Sequence, residues 1–168
     1  MDLIIREEMA DDYAVIASIT ERAFAPMPFS DGDEHELIGK LRDAGVLAIS
    51  LVAEYEGTVA GHIAYTPAFA ADGSANWYAL GPVAVEPGLQ KRRIGARLIE
   101  RGLAMLRERD AAGCVLVGDP AYYSRFGFKL YPEFCPEGEP EEYFQILPLR
   151  QTAPRSVVGF HPLFSHPS

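Results

Sequence analysis

Between Trp77 and Val85 the chain reads WYALGPVAV, apolar and aromatic throughout and strand-like except at Gly81-Pro82. Proline has no N–H to give to a ladder, so a strand that carries it must bulge or part from a neighbour there. A parted strand leaves backbone groups free to bond something else. This one runs on through Glu86-Pro87-Gly88-Leu89-Gln90-Lys91-Arg92-Arg93 into the clearest helical pattern of the chain, residues 90 to 109, with Ile94, Leu98, Gly102, Met105 and Leu106 along one face. Three cations then lie where a helix already presents free N–H groups and the positive end of its dipole, an unfavourable placement unless an anion is close. A diphosphate would fit. No Gly-Lys-Ser/Thr follows, so this is not a Walker loop, and Gly88, Gly95 and Gly102 have the wrong spacing for a dinucleotide fingerprint.

The surrounding pattern sets that feature in a mixed sheet. LIIR (3–6) reads as a strand, and Tyr13, Ile16, Ile19, Ala23 and Phe24 follow at helical spacing behind Asp11 and Asp12. PMPFSDGD (26–33) breaks that helix, and Glu34 to Asp43 predicts a second, closed by Gly45. LAISLVAEYE and VAGHIAYT, joined at Gly57-Thr58, predict a hairpin, which the 77–85 strand extends into an antiparallel meander. CVLV (114–117) suits a buried strand parallel to the third, reached through the helical crossover. GDPAYYSRFGF turns through a short helix into a strand near Phe128–Leu130, and YFQILPL (143–149) is the last strand. The tail from Thr152, with Val157, Val158, Phe160 and Phe164, reads as a docked arm.

Composition narrows the function classes. The 168 residues are about one domain's worth, and 48% hydrophobic residues against 23% charged are enough to build a core. Fifteen basic residues against twenty-four acidic ones, a net charge of -9, oppose nonspecific attraction to nucleic acid or to an anionic membrane. Cys114 and Cys135 have no metal-ligand or disulfide-framework spacing. The start MDLIIREEM lacks a basic flank and a long apolar core, and no apolar run approaches 18 residues. The expectation is a soluble, cytoplasmic protein without metal.

LGPVAVEPGLQKRRIGARLI resembles the acetyl-CoA site of the GNAT N-acetyltransferases, whose signature is Gln/Arg-x-x-Gly-x-Gly/Ala after a strand ending in Val-x-Pro. GDPAYYSRFGF is similar to the same family's Tyr-x-x-x-Gly-Phe segment, with Tyr123, Gly127 and Phe128 in the matching places, in the version of its YhbS-like branch. The resemblance covers about residues 3 to 150. It implies an α/β fold of GNAT type, a central, mostly antiparallel sheet with splayed strands flanked by helices, as one domain over 1–168 with a core of about 3–150 and an arm of about 151–168. It implies acetyl-CoA as cosubstrate, no metal, and direct attack by an amine acceptor, small molecule or peptide, on the thioester, with the protein a monomer or homodimer. The backbone of Val83 to Val85, through Ala84, would pair with the pantetheine arm as an added strand. The amides of Lys91, Arg92, Arg93, Ile94, Gly95 and Ala96 would hold the pyrophosphate, and Gln90 takes the first motif position. Tyr123 matches the residue that hydrogen-bonds or protonates the departing sulfur. Full proton transfer from a phenol near pKa 10 to a thiolate near 8.5 is uphill by roughly 2 kcal/mol, so hydrogen bonding is the larger share of that role. The family's first glycine is Arg93 here, which calls for an ordinary backbone angle and a side chain swung clear, or else for a side chain that itself contacts the phosphate.

Other readings stay open. Tyr123 competes with a packing role among Tyr122, Phe126, Phe128, Tyr131 and Phe134, with Tyr122 as the fallback donor. Asp119 serves as a helix N-cap before Pro120 or as a cofactor contact. His62 and Glu54 are base candidates against a structural role, while His35, His161 and His166 have no partner spacing. Glu133, Glu137, Glu139, Glu141 and Glu142 form a solvated loop that would favour a cationic acceptor. Cys114 reads as core. Loops 26–33 and 67–76 are expected to line the acceptor's entry. A noncatalytic acyl-CoA binding module and an acyltransferase for a longer chain are the alternatives in function.

Overall fold

The computed structural model describes residues 2–28, 30, 32–150 and 154–164. They divide into two compact units, 1–65 with 81–103 and 66–80 with 104–168.

In the first unit β1 (Leu3–Glu7) lies antiparallel to β2 (Ile49–Tyr55), from Leu3 opposite Tyr55 to Glu7 opposite Leu51. β2 lies antiparallel to β3 (Thr58–Ala70), with a register shift between Ala53 and Glu54. Glu56 and Gly57, both at positive φ (51° and 83°), make the tight turn between them, as the right-handed strand twist requires. Two helices cover this sheet, α1 (Tyr13–Phe24) and α2 (Glu34–Asp43). Ile16 and Ile38 pack on Val52, and Ile19 and Ala23 on Ala84, which is the helical periodicity meeting one face of the strands. β4 (Trp77–Val85) and α3 (Ile94–Glu108) each pass from one unit into the other. Gly102 of α3 is seated under Tyr65, whose ring would lie 2.1 Å from any Cβ there, and the Tyr65 hydroxyl donates to the Ile99 carbonyl at 2.9 Å.

In the second unit the start of β4 runs parallel to β5 (Gly113–Val117), Trp77 to Ala79 opposite Gly113 to Val115. β7 (Phe144–Pro148) is antiparallel to β5, and β6 (Lys129–Leu130) is antiparallel to β7. A short helix α4 (Pro120–Tyr123) follows β5. The core gathers Ala68, Trp77, Val115, Phe144, Ile146 and Val158. The arm pairs as β8 (Val158–Gly159) with Phe69 and Ala70 of β3, and Phe160 meets the Phe144 ring edge-on at 6.2 Å. The whole is a mixed, mostly antiparallel sheet flanked by helices.

Three differences from the sequence reading have physical causes. α3 begins at Ile94 rather than at residue 90, because Lys91 and Arg93 hold left-handed backbone (φ 69° and 64°) that a right-handed helix does not admit. The hairpin turn is Glu56-Gly57, one residue earlier than expected. β3 runs on to Ala70, where β8, a strand that no local pattern marks, pairs with it.

Candidate functional site

β4 carries its parallel ladder with β5 over Trp77–Ala79 and continues to Val85, with a cis Gly81-Pro82 bond at the point where it leaves that ladder. The Ala84 side chain is buried against α1, while Val83 and Val85 are half-buried. The strand's exit is pinned twice. The Glu86 amide donates to the Ala60 carbonyl at 2.8 Å, and the Glu86 carboxylate accepts two bonds from Arg22 at 2.9 and 2.6 Å. Pro87–Leu89 then makes one 3-10 turn.

From there the backbone is unusual. Lys91 and Arg93 have positive φ and Arg92 between them does not. Each left-handed non-glycine residue costs on the order of 1 kcal/mol. Alternating backbone hand turns successive N–H groups toward one side, the geometry of an anion-binding concavity. The first bond into α3 is donated by Arg97 to the Arg93 carbonyl, so the amides of Ile94, Gly95 and Ala96 precede the first helical rung. Among the described residues the amides of Ile94, Gly95 and Ala96 donate to no backbone carbonyl. The expectation for Arg93 therefore divides. Its backbone angle is not ordinary, which corrects that half, and its exposed side chain does turn aside, reaching Glu100 at 3.6 Å. Arg92 leans toward Tyr55, with its guanidinium 5.8 Å from the ring centre. Gln90 and Lys91 are exposed.

In the second unit the turn from β5 to α4 is built around Tyr123. The Asp119 side chain accepts from the Ala121 amide at 2.9 Å, and its carbonyl accepts from Tyr122 and Tyr123, so Asp119 caps the start of α4. The Tyr123 ring stands edge-on to Tyr122 (5.0 Å) and Phe128 (6.0 Å), and burial drives its phenol well above the ordinary value. The group stays protonated, so its hydroxyl keeps a hydrogen to donate. Gly118 lies beneath it, for a Cβ there would sit 2.6 Å from Tyr123 Cε2.

The other candidates are engaged elsewhere. His62 is fully buried on β3, its Nε2 2.7 Å from the Ser50 hydroxyl and its Nδ1 without a partner, and burial lowers its pKa to about 4. An N–H at Nδ1 would be stranded, so the proton belongs on Nε2. Glu54 accepts from Arg6 at 2.6 Å. Cys114 is buried and its thiol pushed up. The His161 ring lies tilted at 45° to that of Phe69, 6.1 Å between centres, and Glu133, Glu141 and Glu142 lie on two 3-10 turns, 132–134 and 141–143, with Glu137 and Glu139 in the loop between. Pro67 to Ala70 and Gly73 to Tyr78 line a cavity of about 360 Å³. In loop 26–33, Phe29 and Asp31 lie outside the described residues, as does His166. Glu86, Gly118 and Gln145 escape a reading of the sequence, because each acts through a partner distant in the chain; Arg22 and Glu86 are 64 positions apart. Among the described residues no three His, Cys, Asp or Glu side chains are placed to hold a metal, and no helix is long and apolar enough to cross a membrane.

A strand that leaves its ladder, an exposed loop with two residues at positive φ and a long helix follow one another here, which places the chain among α/β proteins with a splayed central strand. The family model "Acetyltransferase (GNAT) family" matches residues 13–128. The chain belongs to the GNAT acetyltransferase family. It is 33% identical over 98% of its length to the uncharacterized N-acetyltransferase YhbS of Escherichia coli K12, of which it covers 98%. It is also 35% identical to YjhQ of the same organism, over 79% of this chain and 75% of that one. A GNAT acetyltransferase from Brucella melitensis, solved in complex with acetyl-CoA, superposes with a TM-score of 0.86 at 43% identity, covering 98% of this chain and 99% of that one. The Escherichia coli YhbS structure in complex with CoA superposes with a TM-score of 0.85 at 31% identity, over 96% and 91%.

Proposed function

We propose that this protein is an acetyl-CoA-dependent N-acetyltransferase acting as a single domain on a primary amine. The observation that carries the reading is the Gln90–Ala96 segment, where two strained cationic residues and a run of unpaired amides open a helix. Strain of that kind persists where the surrounding structure over-determines it, and it clusters at ligand-binding sites. Acetyl-CoA fits such a segment chemically, since its pyrophosphate supplies the anion that the amides, the dipole and Lys91 to Arg93 lack. Relatives at 43% and 31% identity hold acetyl-CoA and CoA.

In this reading the amides of Lys91, Arg92, Arg93, Ile94, Gly95 and Ala96 hold the pyrophosphate, with Gln90 at the loop's head. The backbone of Val83, Ala84 and Val85 pairs with the pantetheine arm and offers an N–H to the carbonyl oxygen as it gains charge. The amine nitrogen bonds to the thioester carbon and the carbon–sulfur bond breaks. The amine's proton goes to solvent, and the thiolate departs with a hydrogen bond from the Tyr123 hydroxyl. Because burial raises the Tyr123 phenol, proton transfer is costlier still than between the free groups, and the hydroxyl acts by donating a bond to sulfur.

The test is thiol release from acetyl-CoA against a panel of primary amines: a polyamine, free amino acids, an aminoglycoside and a lysine peptide. Amine-dependent release is the expected result. Calorimetric binding of CoA with no release for any amine overturns catalysis in favour of a binding module. Equal affinity for CoA and pantetheine overturns the pyrophosphate assignment.

A further inference from the structure

Gln145 sits in the middle of β7, opposite Leu116 of β5 and Leu130 of β6, and is fully buried. Its neighbours along the strand, Phe144, Ile146 and Leu147, are buried hydrophobics, so an apolar side chain is the simple choice at this position. The amide that stands there is only half satisfied. Its Nε2 donates to the Gly118 carbonyl at 2.8 Å and lies 3.4 Å from that of Tyr143, while its Oε1 has no partner. A buried, unpaired acceptor is a cost that the fold does not need.

What the side chain holds explains the cost. Gly118 is the first residue after β5, and its own amide donates to the Tyr143 carbonyl at 3.0 Å. The Gln145 bond to its carbonyl is therefore the second of two that lock one peptide turn against the sheet. The Tyr123 ring rests on that glycine, in space that any side chain would fill. We propose that Gln145 is a positioning residue: through the Gly118 carbonyl it fixes the glycine on which the Tyr123 ring is seated, and so sets where the Tyr123 hydroxyl is held. The inference rests on the reading of Tyr123 as the donor to the leaving sulfur, and it adds the group that orients that donor.

The test uses the whole protein and two replacements, Gln145→Met, which keeps length and loses the donor, and Gln145→Asn, which keeps the amide but falls short of Gly118. The first readout needs no ligand. In protein carrying ¹³C-labelled tyrosine, eight rings report, and the Tyr123 signal is the one lost in Tyr123→Phe. Its shift is set by the rings of Tyr122, Phe126 and Phe128 around it, so it should move in both Gln145 variants while the signals of the tyrosines outside this cluster stay in place. The second readout is acetyl transfer with the amine that turns over fastest in the panel above. Gln145→Met should lower kcat about 3- to 10-fold with the acetyl-CoA KM within twofold, and Tyr123→Phe combined with Gln145→Met should be no slower than Tyr123→Phe alone.

An unmoved Tyr123 signal in a variant that melts like the parent overturns the inference, and so do losses that multiply in the double variant. If Gln145→Met does not fold, Gln145→Asn answers the same question. A kcat unchanged in Tyr123→Phe is a different failure. It removes the role of Tyr123, and the inference with it, even where the Tyr123 signal moves.

Discussion

Of the turns that use left-handed backbone, two meet its cost differently. Gly127, which ends the short helical stretch after Tyr123 and opens into Phe128, has φ 99° and donates its amide to the Ser124 carbonyl. A Cβ there would meet Leu147 Cδ1 at 3.1 Å, so both the angle and the packing ask for glycine. The loop from β4 to α3 reaches the same region of backbone at Lys91 and Arg93, with exposed side chains and no such packing. Glycine serves where the turn belongs to a packed structure. Strained cations stand where the turn faces outward.

The comparison can be broken in several places. The largest effect is expected at Tyr123, beside the packed turn. Tyr123→Phe keeps the ring and should lower kcat about 10- to 100-fold, with the acetyl-CoA KM and the melting point close to the parent and Tyr122→Phe as control. An unchanged kcat for Tyr123→Phe beside a loss for Tyr122→Phe would shift the donor one residue back. Next is the outward loop. Gly95→Glu adds bulk and a like charge where the diphosphate is expected, and calorimetry should show CoA affinity down tenfold or more, about 1.4 kcal/mol. An unaffected affinity would mean that the anion lies elsewhere.

The last two substitutions exchange the roles of the turns. Gly127→Ala forces a side chain into left-handed backbone and toward Leu147, and should cost about 1–2 kcal/mol in a denaturant melt. Arg93→Gly relieves the strain and restores the family's residue. It should change stability by no more than about 1 kcal/mol, because relief of the native angle is offset by a freer unfolded chain, and CoA binding should persist. Abolished CoA binding in Arg93→Gly, with Gly95→Glu silent, would show that the side chain and not the backbone holds the phosphate.

Local pattern is enough for much of this protein. The apolar spacing of 34–43 bounds α2, and the aromatic and β-branched run of 77–85 bounds β4, because both elements satisfy a period within their own residues. The Gly81-Pro82 interruption is legible for the same reason, since a missing N–H is a property of one residue. Both motifs that mark the family are likewise short and contiguous. The candidate cofactor loop and Tyr123 are for that reason proposals that the sequence alone can make.

The tertiary structure alone decided what those residues are held by. Helical periodicity runs smoothly from residue 90, yet the helix starts at Ile94, after Lys91 and Arg93 at positive φ. His62 alternates correctly for a strand, but only packing buries it beside Ser50 and away from any base role. Gly118, Tyr123 and Gln145 come together from positions 118 to 145, and Gly102 meets Tyr65 across 37 residues of chain. Periodicity and motif express what a residue does with its immediate neighbours. Burial, unpaired atoms and the seat of a side chain depend on groups that the fold brings in from elsewhere, and no local spacing encodes them.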